Sequence, residues 1–389
     1  MTLVVALSDL HLGDEASVAN AFEQVPPRVA EARLALPEAP AFDTPGAIRA
    51  RLQRALERSG GPLELVLHGD VFDLSNASPR VVLAQGRAFF ERLLDGLSPA
   101  RVTFVPGNHD HHLWTVIADE RAWTTLVRDD PGVVDPLFLR TPFDGWPLDG
   151  DDAATELLRA VFPPAHRGVL RVAYPVYRTD VAGRTLVFLH GHHADTSSAW
   201  PGRFLLRAGS LEEIEAFTSG WVELMFHGLK QAGRLTALAH KTWAEIARAK
   251  RALSAATGRA RDHADVAPGD GARDVGPALA RLLELARRAE PLPAAFETVF
   301  GHTHRYCDGA LGPHGLVFNT GGWLATHPNA ERQTRLFLAD DRSSRAELVC
   351  VPPARFARAR ALDEAWRKTT RLAFGSERGT NDGSVSVSG

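Results

Sequence analysis

Two cysteines in 389 residues, Cys307 and Cys350, exclude a disulfide-stapled scaffold and a multi-cysteine zinc site. A chain so poor in thiols fits a reducing compartment, and a cytoplasmic location is the expectation. Nowhere do eighteen apolar residues follow one another, which excludes a helix of bilayer-spanning length. An excess of one charge is also missing. There are 44 Lys and Arg against 47 Asp and Glu, a net charge of −3. Nothing global therefore points to a nucleic acid or a membrane surface. The start, Met1 to Ser8, has no basic n-region and runs straight into a charged motif. It reads as a buried strand and not as a signal peptide.

What is present is an alternation of short apolar runs with longer helical patterns. The runs 3–7, 63–67, 102–105, 169–176, 185–189, 296–300, 316–319, 336–339 and 346–351 read as strands, the last two joined as a hairpin. Thr44-Pro45 and Ser78-Pro79 each place a capping residue before a proline at the first helical position, and predict helices reaching Arg58 and Leu97. Such a mix predicts an α/β fold with mixed sheets flanked by helices. Residues 200–294 lack strand runs and read as a helical insertion or cap. It divides a core of 1–199 and 295–357, which is followed by a C-terminal helix and a disordered tail over 358–389.

The chemistry gathers in five places, each directly after an apolar run. They are Ser8-Asp9-Leu10-His11, His68-Gly69-Asp70-Val71-Phe72-Asp73, Gly107-Asn108-His109-Asp110-His111-His112, His190-Gly191-His192-His193 and Gly301-His302-Thr303-His304. Ten of the sixteen histidines fall inside them, a grouping that scattered core or surface histidines would not give. Strand ends are where α/β folds place ligands. Asp9 and His11, like His302 and His304, stand two apart, and in extended chain such pairs point the same way. Carboxylate, amide and imidazole donors together suit Mn, Fe, Co, Ni or Zn. A carboxylate bridges two ions better than an imidazole does, which leaves Asp70 or Asp9 for that role.

The order D-x-H, G-D-x-x-D, G-N-H-D, a His-bearing segment and G-H-x-H resembles the calcineurin-like metallophosphoesterase superfamily. The resemblance implies a four-layer αββα sandwich of mixed sheets with a helical insertion. It implies two divalent metal ions, with Mn the first expectation. Asp9, His11, Asp70 and His304 would hold one ion; Asp70, Asn108, His190 and His302 would hold the other, with Asp70 bridging. His109 would face the scissile phosphate, and Asp110 would orient it from behind. Hydrolysis of a phosphodiester or pyrophosphate bond by a metal-bridging hydroxide follows as the expected reaction.

Around these residues, His190 is preferred to His192 because it directly ends a strand. Asp73 is expected to bond backbone or a ligand histidine, His68 to pack, and His111 and His112 to be polar loop residues. Asn319-Thr-Gly-Gly-Trp323 is expected to pack beneath the metal site. The Ser8–Gly13 start and the insertion also look like bacterial UDP-diacylglucosamine pyrophosphatases, which differ in carrying Gly-Asn-Arg-Asp at the third motif. A phosphorylated small-molecule or lipid-linked substrate is therefore expected. A DNA nuclease of the double-strand-break repair type is the alternative, disfavoured by the net acidic chain. A non-catalytic scaffold is remote, because every motif is intact. Residues 230–261 carry eight basic residues and one acid. On a helix, Lys230, Arg234, Lys241 and Arg248 would form a stripe suited to substrate anions or to peripheral contact with a membrane face.

Overall fold

A computed structural model describes residues 2–23, 25–117, 158–194, 209, 214, 220–228, 276–289, 292–310, 315–327 and 329–376. The expected basic stripe and the polar tail after residue 376 lie outside these residues.

Two sheets face each other. The first has six strands in the order β11 (Ser344–Leu348), β10 (Arg335–Ala339), β1 (Leu3–Leu7), β2 (Leu63–His68), β3 (Arg101–Val105) and β4 (Leu170–Val172). The second has five, β5 (Val176–Val181), β6 (Arg184–Leu189), β7 (Glu297–Phe300), β9 (Leu316–Asn319) and β8 (Cys307–Ala310). β1, β2, β3 and β4 run parallel, with Val5 opposite Leu65 and Leu65 opposite Val102. β6, β7 and β9 are parallel as well. Parallel neighbours deliver their C-terminal ends to one edge, and that edge carries the five motif segments.

The uninterrupted apolar run of β1 has a physical reason: both its faces are covered. Leu3, Val5 and Leu7 join a core under the helices α2 (Thr44–Ser59) and α3 (Pro79–Leu93). Val4 and Ala6 point the other way and meet Phe188, Val299, Phe318 and Phe337 between the sheets. Each such buried aliphatic or aromatic side chain contributes about 1.5–3 kcal/mol by leaving water. On the outer face of the second sheet, Leu279, Leu282, Leu283 and Ala286 of α4 (Gly276–Ala289) pack on Val187, Leu189 and Val317. The layers are therefore helix, sheet, sheet, helix. α4 falls within the span read as an insertion, yet it supplies the fourth layer of the sandwich.

One of the two expected helix caps forms, at Ser78, whereas α2 opens at Thr44 itself, after Asp43, with no side-chain cap. Ser78 accepts a hydrogen bond from the Val81 N–H at 3.4 Å, and Pro79 follows it. Thr44 instead donates its hydroxyl to the Val18 carbonyl at 2.7 Å. The run 169–176 is not one strand. Pro175 offers no N–H to a ladder; the chain leaves the first sheet after Val172 and enters the second at Val176. β8 went unforeseen because Cys307-Asp-Gly-Ala310 has no apolar alternation; it is an edge strand paired to β9 alone. After a short helix α1 (Pro27–Glu31), the last long element, α5 (Pro353–Ser376), returns to pack Phe356 and Ala359 into the first core. Among the described residues no helix is long and apolar enough to cross a membrane.

Candidate dinuclear metal centre

Asp9 follows β1, Asp70 follows β2, Asn108 follows β3, His190 follows β6 and His302 follows β7. Convergence of these five strand ends brings two donor clusters together. Ligand atoms of Asp9, His11, Asp70 and His304 all lie within 4.8 Å of one another, and so do those of Asp70, His190 and His302. The Asn108 amide oxygen completes the second cluster, 3.1 Å from His190 Nε2 and 3.0 Å from His302 Nδ1. Asp70 belongs to both. Its Oδ2 lies 3.2 Å from His190 Nε2 and 3.7 Å from His11 Nε2.

Three observations show that these residues fit metal ions. The first is backbone conformation. Among the described residues eight non-glycine positions have left-handed φ, and five of them are Asp9, His11, Asp70, His302 and His304. Each such position costs about 1–2 kcal/mol for an L-residue. The pairs Asp9/His11 and His302/His304 therefore reach the site by strained turns, not through the extended chain that the i, i+2 spacing suggested. They also divide differently, since His302 and His304 fall in different clusters.

The second is imidazole orientation. His11 Nδ1 donates to the Asp73 carboxylate at 3.2 Å, and His190 Nδ1 donates to the His68 carbonyl at 3.3 Å. With those protons fixed, each ring presents an Nε2 lone pair inward, as a ligand histidine must. His11 Nε2 and His304 Nε2 then stand 3.1 Å apart, an apposition that a shared cation relieves.

The third is charge. Asp9, Asp70, Asp73 and Asp110 are buried to within 1% of completely. Burial raises the Asp9 carboxyl, but the hydrogen bond and charge of His304 outweigh it and hold it near 2. Burial likewise opposes charge on His190, yet the Asp70 carboxylate lifts it to about 9. Carboxylates this deep create a demand for positive charge that pulls protons onto imidazoles. Divalent cations answer the same demand.

Glycine makes the approach close. A Cβ on Gly69, which has φ +95°, or on Gly301 would sit 2.2 Å from His190 Nδ1 or from Asp9 Oδ2.

Residues 2–306 match the family model described as calcineurin-like phosphoesterase. The chain belongs to that family. Its members are metal-dependent phosphoester hydrolases, and this chain carries the donor clusters such chemistry needs. Two solved structures similar to it are a 5'-nucleotidase from Candida albicans, 9% identical with a TM-score of 0.34, and a 5'-nucleotidase precursor from Thermus thermophilus, 12% identical with a TM-score of 0.28. The alignments cover 95% and 96% of this chain but 58% and 59% of theirs, so it spans less than two thirds of either. No curated protein matches the chain.

His109 stands beside the clusters. Its ring lies 4.7 Å from that of His11, and its side chain is 19% exposed. Nδ1 meets Asp73 Oδ1 at 3.1 Å and the Ser75 hydroxyl at 2.6 Å. Burial disfavours charge on this ring, but Asp73 and Asp70 raise it to about 10. The orienting role expected of Asp110 therefore falls to Asp73. Asp110 turns away and accepts the backbone N–H groups of Gly107, Val71 and Phe72 at 2.6, 2.8 and 3.2 Å. Those bonds splice the third motif loop onto the second. Asp73 acts on two histidines at once, and it also accepts the Asn76 N–H at 2.8 Å.

His192 and His193 stay outside both clusters. Their rings are 3.9 Å apart, and their Nε2 atoms lie 3.4 and 3.3 Å from the Tyr174 hydroxyl. His68 packs as expected, buried against Phe188 and bonded to Thr320 at 3.2 Å; burial depresses it to about 3 and keeps it neutral. The Asn319–Trp323 segment braces the floor of the site. The Asn319 side-chain amide donates to the Gly301 carbonyl at 2.8 Å, and the Trp323 backbone N–H to the Asp9 carbonyl at 3.2 Å. His111 and His112 are not free loop residues. Both meet Glu223, at 2.8 and 3.0 Å. Burial raises the Glu223 carboxyl, but hydrogen bonds from the two histidines hold it well below the usual carboxylate range. Nothing in the sequence around Glu223 signals this contact.

Proposed function

We propose that this phosphoesterase hydrolyses a phosphodiester or pyrophosphate bond with two divalent ions, Mn by preference, Fe, Zn, Co and Ni being compatible with the same donors. Asp9, His11, Asp70 and His304 would hold one ion, and Asp70, Asn108, His190 and His302 the other. The observation that carries this reading is Asp70, the one residue common to both clusters. When bound, the ions supply Lewis acidity that lowers the pKa of a water and offsets phosphate charge.

The protein's own groups do the rest. Asp73 and Ser75 fix His109 through Nδ1, which leaves Nε2 as the atom that gives its proton to the departing oxygen. The Asp70 Oδ1 accepts the His109 backbone N–H at 2.8 Å, so the residue common to both clusters also sets where the proton donor begins. Phe226 stands against the His109 ring at 5.0 Å. That apolar wall suits a leaving group larger than inorganic phosphate alone, which supports a substituted diester or anhydride. The substrate is read as a phosphorylated small molecule or a lipid-linked one. A cytoplasmic setting belongs to this reading and is supported by two free cysteines, one buried and one exposed.

The test is an activity screen with Mn. It compares p-nitrophenyl phosphate, bis-p-nitrophenyl phosphate, nucleoside diphosphate conjugates and DNA. Highest kcat/KM on a diester or a diphosphate conjugate is expected. Turnover of DNA above both, or of the monoester alone, would contradict it.

A further inference from the structure

Residues 220–228 lie more than a hundred positions from the third motif, yet one turn of them closes on it. Glu223 to Gly228 form a wide helical turn of the i→i+5 type, a form often found at functional sites. From its first residue the Glu223 carboxylate takes three hydrogen bonds. Oε1 accepts from His111 Nδ1 and from the Thr115 hydroxyl, each at 2.8 Å, and Oε2 accepts from His112 Nδ1 at 3.0 Å. An ionised carboxylate is an acceptor alone, so these contacts fix both imidazole tautomers and the hydroxyl rotor. Three residues on, Phe226 packs its ring 5.0 Å from that of His109.

The two contacts divide the work. Glu223 ties down the segment that immediately follows His109, where His111 is fully buried and stands edge-on to Tyr174 at 5.4 Å. Phe226 limits the His109 ring itself, on which Asp73 and Ser75 act only through Nδ1. The His11 ring stands edge-on to the His109 ring at 4.7 Å, and Phe226 adds a second ring contact at 5.0 Å.

We infer that Glu223 is a positioning residue for His109, with Phe226 as its partner on the ring. The turn they share, Glu223 to Gly228, thereby becomes part of the catalytic apparatus. The inference rests on the proposed role of His109 as proton donor. A misplaced donor lowers the rate of the chemical step and leaves substrate binding to the metal clusters, so kcat falls and KM holds.

A double-mutant cycle reads this directly. In the otherwise unchanged enzyme, Glu223→Ala is expected to lower kcat on a poor leaving group on the order of 10–100-fold, the scale of a small displacement of a catalytic group, with KM and bound metal unchanged. In the H109Q background the same change should cost less than about twofold, because the residue it positions is gone. Glu223→Gln keeps an acceptor oxygen for His111 and Thr115 and should recover most of the loss. Phe226→Ala acts through the ring alone and should show the same dependence on His109. It carries the test by itself if Glu223→Ala lowers the thermal midpoint enough to unfold the protein.

An equal loss in both backgrounds, or no loss while His109→Gln itself is strongly impaired, would overturn the positioning role. A loss confined to KM would do the same. If His109→Gln keeps full turnover, the donor role fails first, and the cycle shows that separately.

Discussion

The space between the two sheets and the edge where their strands end are made from the same strands, a few residues apart. Val4 and Ala6 of β1 are fully buried against Phe188 and Phe337, and three residues after Ala6 the chain reaches Asp9. Between the sheets the backbone is regular, the packing is mostly apolar, with Glu64 accepting from Tyr177 and Thr179 across the gap, and the main requirement is volume. At the edge five residues hold left-handed φ, carboxylates are buried, and imidazoles are pinned by single hydrogen bonds. The first region is held by shape, which many sequences satisfy. The second is held by charge and strain that folding alone does not repay. Stability therefore comes from one and function from the other, and substitutions should separate them.

Asp70→Ala should have the largest effect on turnover. It removes the residue shared by both clusters, and kcat should fall by more than about a thousandfold, beyond the loss of any single stabilising donor. Circular dichroism should still show a folded sandwich. A variant that loses activity because it unfolds would break the separation of the two regions.

His109→Gln comes next. On a substrate with a poor leaving group it should lose about 100–10,000-fold in kcat while keeping its metal content. The loss should shrink with p-nitrophenolate, which leaves without a proton. Equal losses on both substrates would leave His109 a role in charge stabilisation only.

Asp73→Asn should be milder. It weakens the hold on His11 Nδ1 and on His109 Nδ1 together. Metal affinity measured by chelator competition should fall about 10–100-fold, the usual scale for a residue that orients a ligand. Unchanged affinity would mean that His11 keeps its tautomer without that carboxylate.

Phe337→Ala gives the opposite pattern. Phe337 is fully buried between the sheets, 5.1 Å from Phe318 and 6.0 Å from Phe188. The cavity should cost about 3–5 kcal/mol in denaturant unfolding. Turnover per folded, metal-loaded molecule should not change. A fall in kcat would show that the apolar region also tunes the edge.

The same contrast explains what the sequence made legible. Apolar runs announce buried strands, and Leu3 to Leu7, Leu63 to His68 and Leu316 to Asn319 stand where those runs predict. The D-x-H, G-D-x-x-D and G-H-x-H spacings mark residues that must share a site because each stands at a strand end. Other features depend on tertiary placement and leave no local trace. Asp110 and Asp73 are both acids beside a motif, and only the fold shows that Asp73 meets His109 while Asp110 satisfies backbone N–H groups. The break at Pro175 moves a strand from one sheet to the other without changing its apolar character. Glu223 carries no pattern, because its partners lie on the turn and helical residues after the third motif, brought near by the sandwich and not by the chain. Left-handed φ at Asp9, His11 and Asp70 runs against local preference, so no propensity argument finds it.

The central claim is that Asp70 stands between two metal ions, and anomalous diffraction measures it most directly. Crystals grown with Mn should give two anomalous peaks per chain, one among Asp9, His11 and His304 and one among Asn108, His190 and His302, with the Asp70 carboxylate between them. A single peak, or two peaks of which one lacks Asp70 as a neighbour, would contradict the account.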